Sequence, residues 1–196
     1  MNIILSTGNI RKAEEIRAVF AGSQISILSL ADVGIKGEAI EDGNTLEQNA
    51  SKKAQFAHQA CGGKHWSMAD DTGIFIDALG GKPGVNKVLW PYERPSTQAI
   101  LAELKDVPSR VATFKTVVAV ISPDGREFFF EGAITGSLLE NARKEAHPRM
   151  PYSTIFVPDG HTKSWSEMTL EEENTISHRG KAFRRAREFL ENLRGA

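Results

Sequence analysis

Cysteine is nearly absent from this chain. Cys61 stands alone, so no disulfide can close within it, and a reducing, cytoplasmic setting is the expectation. An excess of charge is absent too: 24 Lys and Arg stand against 25 Asp and Glu, a net charge of −1. Without an overall field, neither nucleic acid nor an anionic membrane is the expected partner, and any phosphate site must be built locally. The amino terminus lacks a basic leader, and its apolar run Ile3-Ile4-Leu5 is only three residues long, which predicts neither a signal peptide nor a membrane span. Internal repeats, low-complexity tracts and Pro- or Ser-rich linkers are missing as well. A chain of 196 residues with 40% hydrophobic content is enough for one substantial core and short for two, so a single bilobed domain over residues 1–196 is expected.

What is present is a succession of short apolar runs and amphipathic stretches. Ile3-Ile4-Leu5 ends in Ser-Thr-Gly-Asn, after which Ile10, Ala13, Ile16, Val19 and Phe20 recur at helical spacing, predicting strand, turn and helix. Residues 25–30 alternate and predict a second strand, and the polar stretch 37–44 reads as a loop. Ala50, Ala54, Ala57 and Ala60 within 45–60 have the spacing of a helix packed closely on a sheet. Residues 66–69 read as a brief strand delivering Asp70-Asp71-Thr72-Gly73, with Ile74-Phe75-Ile76 beyond it. A helix is predicted over 95–104 and a hairpin from 112–121 and 127–131 around Pro123-Asp124-Gly125. A strand over 152–157 and an amphipathic helix over 177–193 complete the chain. Alternating strands and helices with one antiparallel hairpin predict an α/β fold built on a mixed sheet.

Several stretches carry groups suited to phosphate chemistry. Thr7, Gly8 and Asn9, followed by Lys12, lie where a strand feeds a helix, and free N–H groups at a helix start beside a lysine make a local anion site. The same residues also serve as an ordinary turn and cap. Asp70 and Asp71, with Thr72 after them, are wedged between apolar runs, where desolvation is costly unless a cation or donor compensates. Hard oxygen ligands of this kind suit Mg²⁺, and a capped turn is the alternative. Glu38, Glu41 and Asp42 add carboxylates in a loop, which solvent alone could also explain. His178 and Arg179 open the last helix after Glu171-Glu172-Glu173-Asn174. The guanidinium can fork onto a phosphate or a base edge and the imidazole can donate or stack; a cap followed by surface charges is the competing reading. No Ser-His-Asp or Cys-His order has supporting context.

The order and spacing of these motifs resemble one family over essentially the whole chain: the inosine triphosphate pyrophosphatases, also called non-canonical purine NTP or XTP/dITP diphosphatases. The resemblance rests on Ser6-Thr7-Gly8-Asn9 with Lys12 and Glu15, on Glu41-Asp42-Gly43-Asn44-Thr45 with Asn49-Ala50 and Lys53-Ala54, and on Ala69-Asp70-Asp71-Thr72-Gly73. Pro83-Gly84-Val85, Arg110-Val111-Ala112-Thr113-Phe114, Gly132, Gly136, Ser166-Glu167-Met168 and Ser177-His178-Arg179 extend it. The resemblance implies an elongated mixed sheet flanked by helices, with two lobes and a cleft between them. It implies hydrolysis of a nucleoside triphosphate to the monophosphate and pyrophosphate, with Mg²⁺, or Mn²⁺ in its place, held by Glu41 and Asp71. Thr7, Gly8, Asn9 and Lys12 would hold the triphosphate with help from Lys53. Asp71 matches the residue regarded as the general base, with Asp70 beside it, and Thr72, Tyr152, Ser153, Glu173, His178 and Arg179 would contact substrate. A homodimer is the family tendency, and Val88-Leu89-Trp90 with Pro91-Tyr92 is a candidate interface.

The departures from the family pattern fall at the base-reading positions. Where the family reads Gly-Phe-Gly-Tyr-Asp-Pro, this chain has Arg149-Met150-Pro151-Tyr152-Ser153-Thr154, so Met150 replaces the stacking aromatic and Ser153 the aspartate. Glu173 stands where a lysine is expected, and Lys87-Val88-Leu89 replaces Ser-Ala-Arg. The expectation is therefore a retained reaction with an altered base preference, shifted by Glu173 toward bases that present donors; Lys163 or Lys181 taking over the lysine's task is the alternative. A nucleotide-binding sensor with weak or lost turnover is the competing function, and the Asp70-Asp71 pair argues against it.

Overall fold

The computed structural model describes residues 1–85, 96–143 and 151–195. Seven strands join in one mixed sheet: β1 (Asn2–Leu5), β2 (Ser26–Ser29), β3 (Trp66–Ile76), β4 (Lys82–Gly84), β5 (Val111–Ile121), β6 (Glu127–Leu138) and β7 (Phe156–Pro158). The helices are α1 (Ile10–Val19), α2 (Leu46–Ala60), α3 (Thr97–Glu103), α4 (Leu170–Ile176) and α5 (His178–Gly195). Strand order is β2-β1-β3-β5-β6-β7, with β4 added on β3. β1 runs parallel to β2 and β3, as crossovers through α1 and α2 require, and every pairing from β3 onward is antiparallel. The sequence-predicted mixed α/β sheet is the fold observed. The calls on Lys87, Val88, Leu89, Trp90, Pro91, Tyr92, Arg149 and Met150 lie outside the described residues.

Helices cover both faces of the sheet. On one face, Ile3, Leu5 and Met68 pack with Ile16 and Phe20 of α1 and with Phe183, Ala186 and Leu190 of α5. On the other, Ala50 and Ala54 of α2 lie against Ala69, Val117 and Ala119, small side chains that let helix and sheet approach closely. Farther along, Ile74, Ile76, Ala112 and Ile134 gather with Ile100, Leu104, Phe156 and Trp165 into a second apolar cluster.

Four local outcomes differ from the sequence reading. β3 is one strand of 11 residues rather than two pieces, because Asp70 to Gly73 stay in the ladder, opposite Val118 to Lys115 of β5. β6 runs on past Glu131 to Leu138; Gly132 and Gly136 lie under close-packed backbone of α5 and β7, which polar-apolar alternation does not reveal. The strand expected over 152–157 is mostly a 3-10 turn, Pro151–Thr154, closed by Ile155 N–H on the Tyr152 carbonyl, and pairing starts only at Phe156. α4 was not predicted; its signal was the capping box in which Thr169 and Glu172 satisfy each other's backbone N–H groups.

One consequence of the topology positions the site. β1 covers an edge of β3 from Trp66 to Met68, β4 covers the same edge from Ile74 to Ile76, and β5 fills the other edge throughout. Among the described residues, Ala69 to Gly73 therefore have a strand on one side only. The opening lies just beyond the carboxyl end of β1, the kind of place where open α/β sheets take ligands.

Candidate active site

Asp70 and Asp71 occupy this gap, and strand alternation sends them to opposite faces of the sheet. Asp70 shares the face of Met68 and meets α1 and α5; Asp71 shares the face of Ala69 and meets α2. Neither carboxylate belongs to a turn, and each is met by a lysine one helix away.

On the first face, Lys12 Nζ lies 2.7 Å from Asp70 Oδ1, and Arg179 Nε lies 3.6 Å from Oδ2. Arg179 also donates to Glu15 Oε2 at 3.0 Å, which ties the start of α5 to α1. Thr72 Oγ1 is 3.5 Å from Asp70 Oδ2 and 2.7 Å from Thr116 Oγ1. Burial works to raise the Asp70 carboxyl, but Lys12, Arg179 and Lys53 outweigh it and hold the group below the ordinary carboxylate range. Burial also draws the Lys12 ammonium below the usual lysine value; Asp70 opposes that shift, while Arg179 and Lys53 add to it. Asn9 caps α1 by accepting from Lys12 N–H at 3.3 Å, which is the cap reading of residues 7–12.

On the second face, Lys53 Nζ donates to Asp71 Oδ1 at 2.8 Å and lies 3.5 Å from Glu41 Oε2. Burial lowers the Lys53 ammonium, and the carboxylates of Asp71, Asp70 and Glu41 more than reverse this, leaving it above the usual value. Asn49 was quoted in the sequence without a role. Its Nδ2 donates to Asp71 Oδ2 at 3.1 Å while its Oδ1 accepts from Gly43 N–H at 2.8 Å, so it holds the carboxylate and the Glu41 loop in one piece. The clue was an asparagine next to an alanine face, one helical turn before Lys53.

Two carboxylates from separate elements thus converge on one cation, the Lys53 ammonium. Such a pair has the oxygen donors that suit Mg²⁺, which takes one or two carboxylates and completes its octahedron with water and phosphate oxygens. No group of three or more His, Cys, Asp or Glu able to cage a metal exists among the described residues.

A cavity of about 460 Å³ passes through the gap. Thr7, Gly8, Asn9, Lys12, Glu41, Lys53, Asp70, Asp71, Thr72, Tyr152, Ser153, His178 and Arg179 all line it, so nearly every sequence-predicted site residue is brought to one place. Glu38 lines it as well, whereas Asp42 is exposed and paired with Lys52. Glu173 is the exception: it is buried on α4 and does not line the cavity. Of the two alternative lysines, Lys163 pairs with Glu172 at 2.7 Å and Lys181 donates to the Ala133 carbonyl at 2.9 Å.

Away from the charges the wall is apolar. Phe114 stacks on His178 with ring centroids 5.2 Å apart, and Trp165 meets the two edge-on at 5.1 and 5.0 Å. Burial, reinforced by Arg179, holds His178 well below the ordinary histidine range, so its imidazole is neutral at pH 7. Ile74, Pro83, Gly84 and Val85 complete this side. β4 can reach β3 here only because Gly73 is a glycine, as a Cβ would stand 2.7 Å from the Gly84 carbonyl oxygen. Phe114 and Trp165 had no role in the sequence reading, where each passes for an ordinary core aromatic. The cavity is thus charged on one side and apolar on the other.

The Ham1 family model matches residues 3–189. The dITP/XTP pyrophosphatase of Thermoanaerobacter pseudethanolicus is 38% identical over 200 residues, covering 97% of this chain and 96% of that protein. The dITP/XTP pyrophosphatase of Porphyromonas gingivalis is 37% identical over 193 residues, with 96% of each covered. Among solved structures, a HAM1 protein from Coxiella burnetii superposes with a TM-score of 0.84 at 26% identity, covering 97% of this chain and 98% of that one. A dITP/XTP pyrophosphatase from Mycobacterium abscessus superposes at 0.70 with 33% identity over 97% and 98% of the two chains. Sequence, sheet and site lead to one assignment: this chain belongs to the Ham1 family.

Proposed function

We propose that the chain hydrolyses a non-canonical purine nucleoside or deoxynucleoside triphosphate to the monophosphate and pyrophosphate, with Mg²⁺ or Mn²⁺ as cofactor. The observation that carries this reading is the alternation of Asp70 and Asp71 across β3, each paired with a lysine in one cavity that ends in an aromatic wall. Lys12 and the Gly8 N–H bind the phosphate chain, the Thr7 and Asn9 N–H groups being donated to the Leu5 carbonyl and to Thr7 Oγ1; Lys53 adds charge where pyrophosphate leaves. Glu41 and Asp71 would hold the metal, which supplies charge neutralisation on the phosphates. Water oxygen bonds to phosphorus as the bridging bond between the α and β phosphates breaks, and its proton passes to a carboxylate oxygen of Asp71. Asn49 and Lys53 keep that carboxylate oriented. Support for the substrate class comes from the dITP/XTP pyrophosphatases to which the chain is similar. A soluble homodimer of the cytoplasm belongs to the same reading; no helix among the described residues is long and apolar enough to cross a membrane, and light scattering measures the assembly.

The test is product analysis with ITP, dITP and XTP in the presence of Mg²⁺. One monophosphate and one pyrophosphate per turnover are expected, and diphosphate plus orthophosphate refutes the reading. Asp71→Asn should lower kcat by about 10²–10⁴-fold with little change in nucleotide affinity. A near wild-type rate in that variant removes Asp71 from the role of base.

A further inference from the structure

On the face of the sheet that carries Asp70, the β3–β5 ladder sets Asp70 opposite Val118, Thr72 opposite Thr116 and Ile74 opposite Phe114. The face thus runs from the carboxylate held by Lys12, through a pair of threonines, to the ring that stacks on His178. Thr72 is half-buried and lines the cavity. Thr116 is fully buried, does not line the cavity, and carries a polar group that the proposed reaction leaves without a task.

A threonine hydroxyl has one proton and two lone pairs. Among the described residues, Thr116 Oγ1 has one hydrogen-bond partner, Thr72 Oγ1 at 2.7 Å. If Thr72 were the donor of that bond, the Thr116 proton would be buried without an acceptor, which is costly. Thr116 therefore donates and Thr72 accepts. The Thr72 proton must then point elsewhere, and its contact with Asp70 Oδ2 at 3.5 Å is longer than the roughly 2.5–3.0 Å of a well-made O–H···O bond. A better acceptor in the cavity would take that proton.

We propose that Thr116 is a positioning residue, which by donating to Thr72 Oγ1 fixes the Thr72 hydroxyl as a donor to a non-bridging oxygen of the α-phosphate. This rests on the triphosphate pyrophosphatase reading and adds to it a residue that does not line the cavity. Place and chemistry both name the acceptor. Thr72 stands between the lysine-held carboxylate and the aromatic wall, where the phosphate chain of a nucleotide joins its nucleoside. A phosphate oxygen has lone pairs only, so the direction of the threonine bond matters to it; a sugar hydroxyl could pair with either direction. Without Thr116, the Thr72 side chain and its hydroxyl would each spread over other staggered wells.

The experiment is titration calorimetry of a hydrolysis-resistant α,β-imido analogue of ITP with Mg²⁺, on the full chain and on Thr116→Val, Thr116→Ser, Thr72→Val and the Thr72→Val/Thr116→Val pair. Thr116→Val should weaken binding about three- to tenfold, one staggered well in three being productive at each of two torsions. Thr116→Ser, which keeps the hydroxyl, should stay within about twofold of the unaltered chain. In the Thr72→Val background, adding Thr116→Val should cost less than about twofold, because the two residues act as a unit. The ³¹P signal of the bound α-phosphorus should differ between Thr116→Val and the unaltered chain, with that of the γ-phosphorus in place. An equal loss from Thr116→Val in both backgrounds overturns the proposal, leaving Thr116 a packing residue, and so does a shift of the γ signal alone. If Thr116→Val does not fold, Thr116→Cys, whose thiol is a weak donor, takes its place and must show the loss. Should the unaltered chain bind no triphosphate analogue and cleave no triphosphate, the reaction reading falls as well.

Discussion

Replacing Gly132 by alanine tests whether the docking of α5 on β6 sets the active site. Gly132 is buried in β6, and a Cβ there would lie 2.1 Å from the His178 carbonyl oxygen and 2.7 Å from Ala182 N. Real Cβ atoms keep about 3.0 Å from such neighbours, so backbone must yield by roughly 1 Å. The atoms in the way are backbone of the first turns of α5, the segment that carries His178 and Arg179 into the cavity. Overpacking of this kind costs about 1–3 kcal/mol. For a chain of this size that corresponds to a fall in Tm of roughly 2–12 °C. A displacement of about 1 Å in a positioning element can cost on the order of 10²-fold in rate. Thermal unfolding by circular dichroism and kcat/KM for ITP, measured well below the variant's Tm, should therefore fall together. Ser137→Ala, at an exposed β6 position, serves as the control that leaves both unchanged. A Gly132→Ala protein with wild-type Tm and wild-type kcat/KM would refute the claim that this contact places His178 and Arg179.

Lys12→Ala and Lys53→Ala should each weaken binding of hydrolysis-resistant triphosphates by about 1.5–3 kcal/mol, alike for every base, since a phosphate contact carries no base information; a base-selective loss in titration calorimetry would move the lysine into the base pocket. His178 is held neutral by burial, so below about pH 6.5 the unfolded chain binds a proton that the folded chain refuses, and stability falls on acidification by at most about 1.4 kcal/mol per pH unit until the folded group titrates. Urea midpoints between pH 7.5 and 5.5 should show this slope in the wild type and a smaller one in His178→Asn; equal slopes contradict it. Glu173→Gln should leave the ranking of ITP, XTP, GTP and ATP by kcat/KM unchanged, because Glu173 does not line the cavity; a reordered ranking would return it to the base site.

The charged half of the site was legible in the sequence because its residues sit in short motifs with local causes. Thr7-Gly8-Asn9 and Lys12 are a turn and the first helical turn after it; Asp70 and Asp71 are adjacent; Lys53 and Asn49 share a helix face. The apolar half was not legible, because it is assembled by long-range packing. Phe114 and Trp165 come together across β5 and a 3-10 turn, Trp165–Glu167, far apart in the chain, and nothing local separates a wall residue from a core residue. Glu173 shows the opposite failure. Position in a motif suggested a base contact, but the capped helix α4 turns that side chain into the protein instead. The break assumed at Asp70 in β3 failed for a further reason: two consecutive carboxylates look like a turn until the ladder to β5 supplies their backbone partners.

That ladder also constrains length in a way it does not constrain identity. Ten consecutive residues of β3, from Ser67 to Ile76, are matched one to one with β5, and the two acids derive their separate surroundings only from being odd and even along it. Adding or removing a single residue upstream of Asp70 would reverse the parity of the pair and turn each carboxylate toward the other's helix. Lys12 and Lys53 would then each face the wrong acid, although every residue of the site was still present. The 37–44 segment that carries Glu41 belongs to no ladder and has no parity to lose. In this fold, a single insertion or deletion in β3 ahead of Asp70 is therefore excluded by parity, whereas the Glu41 loop is fixed by contacts such as Gly43 N–H on Asn49 Oδ1.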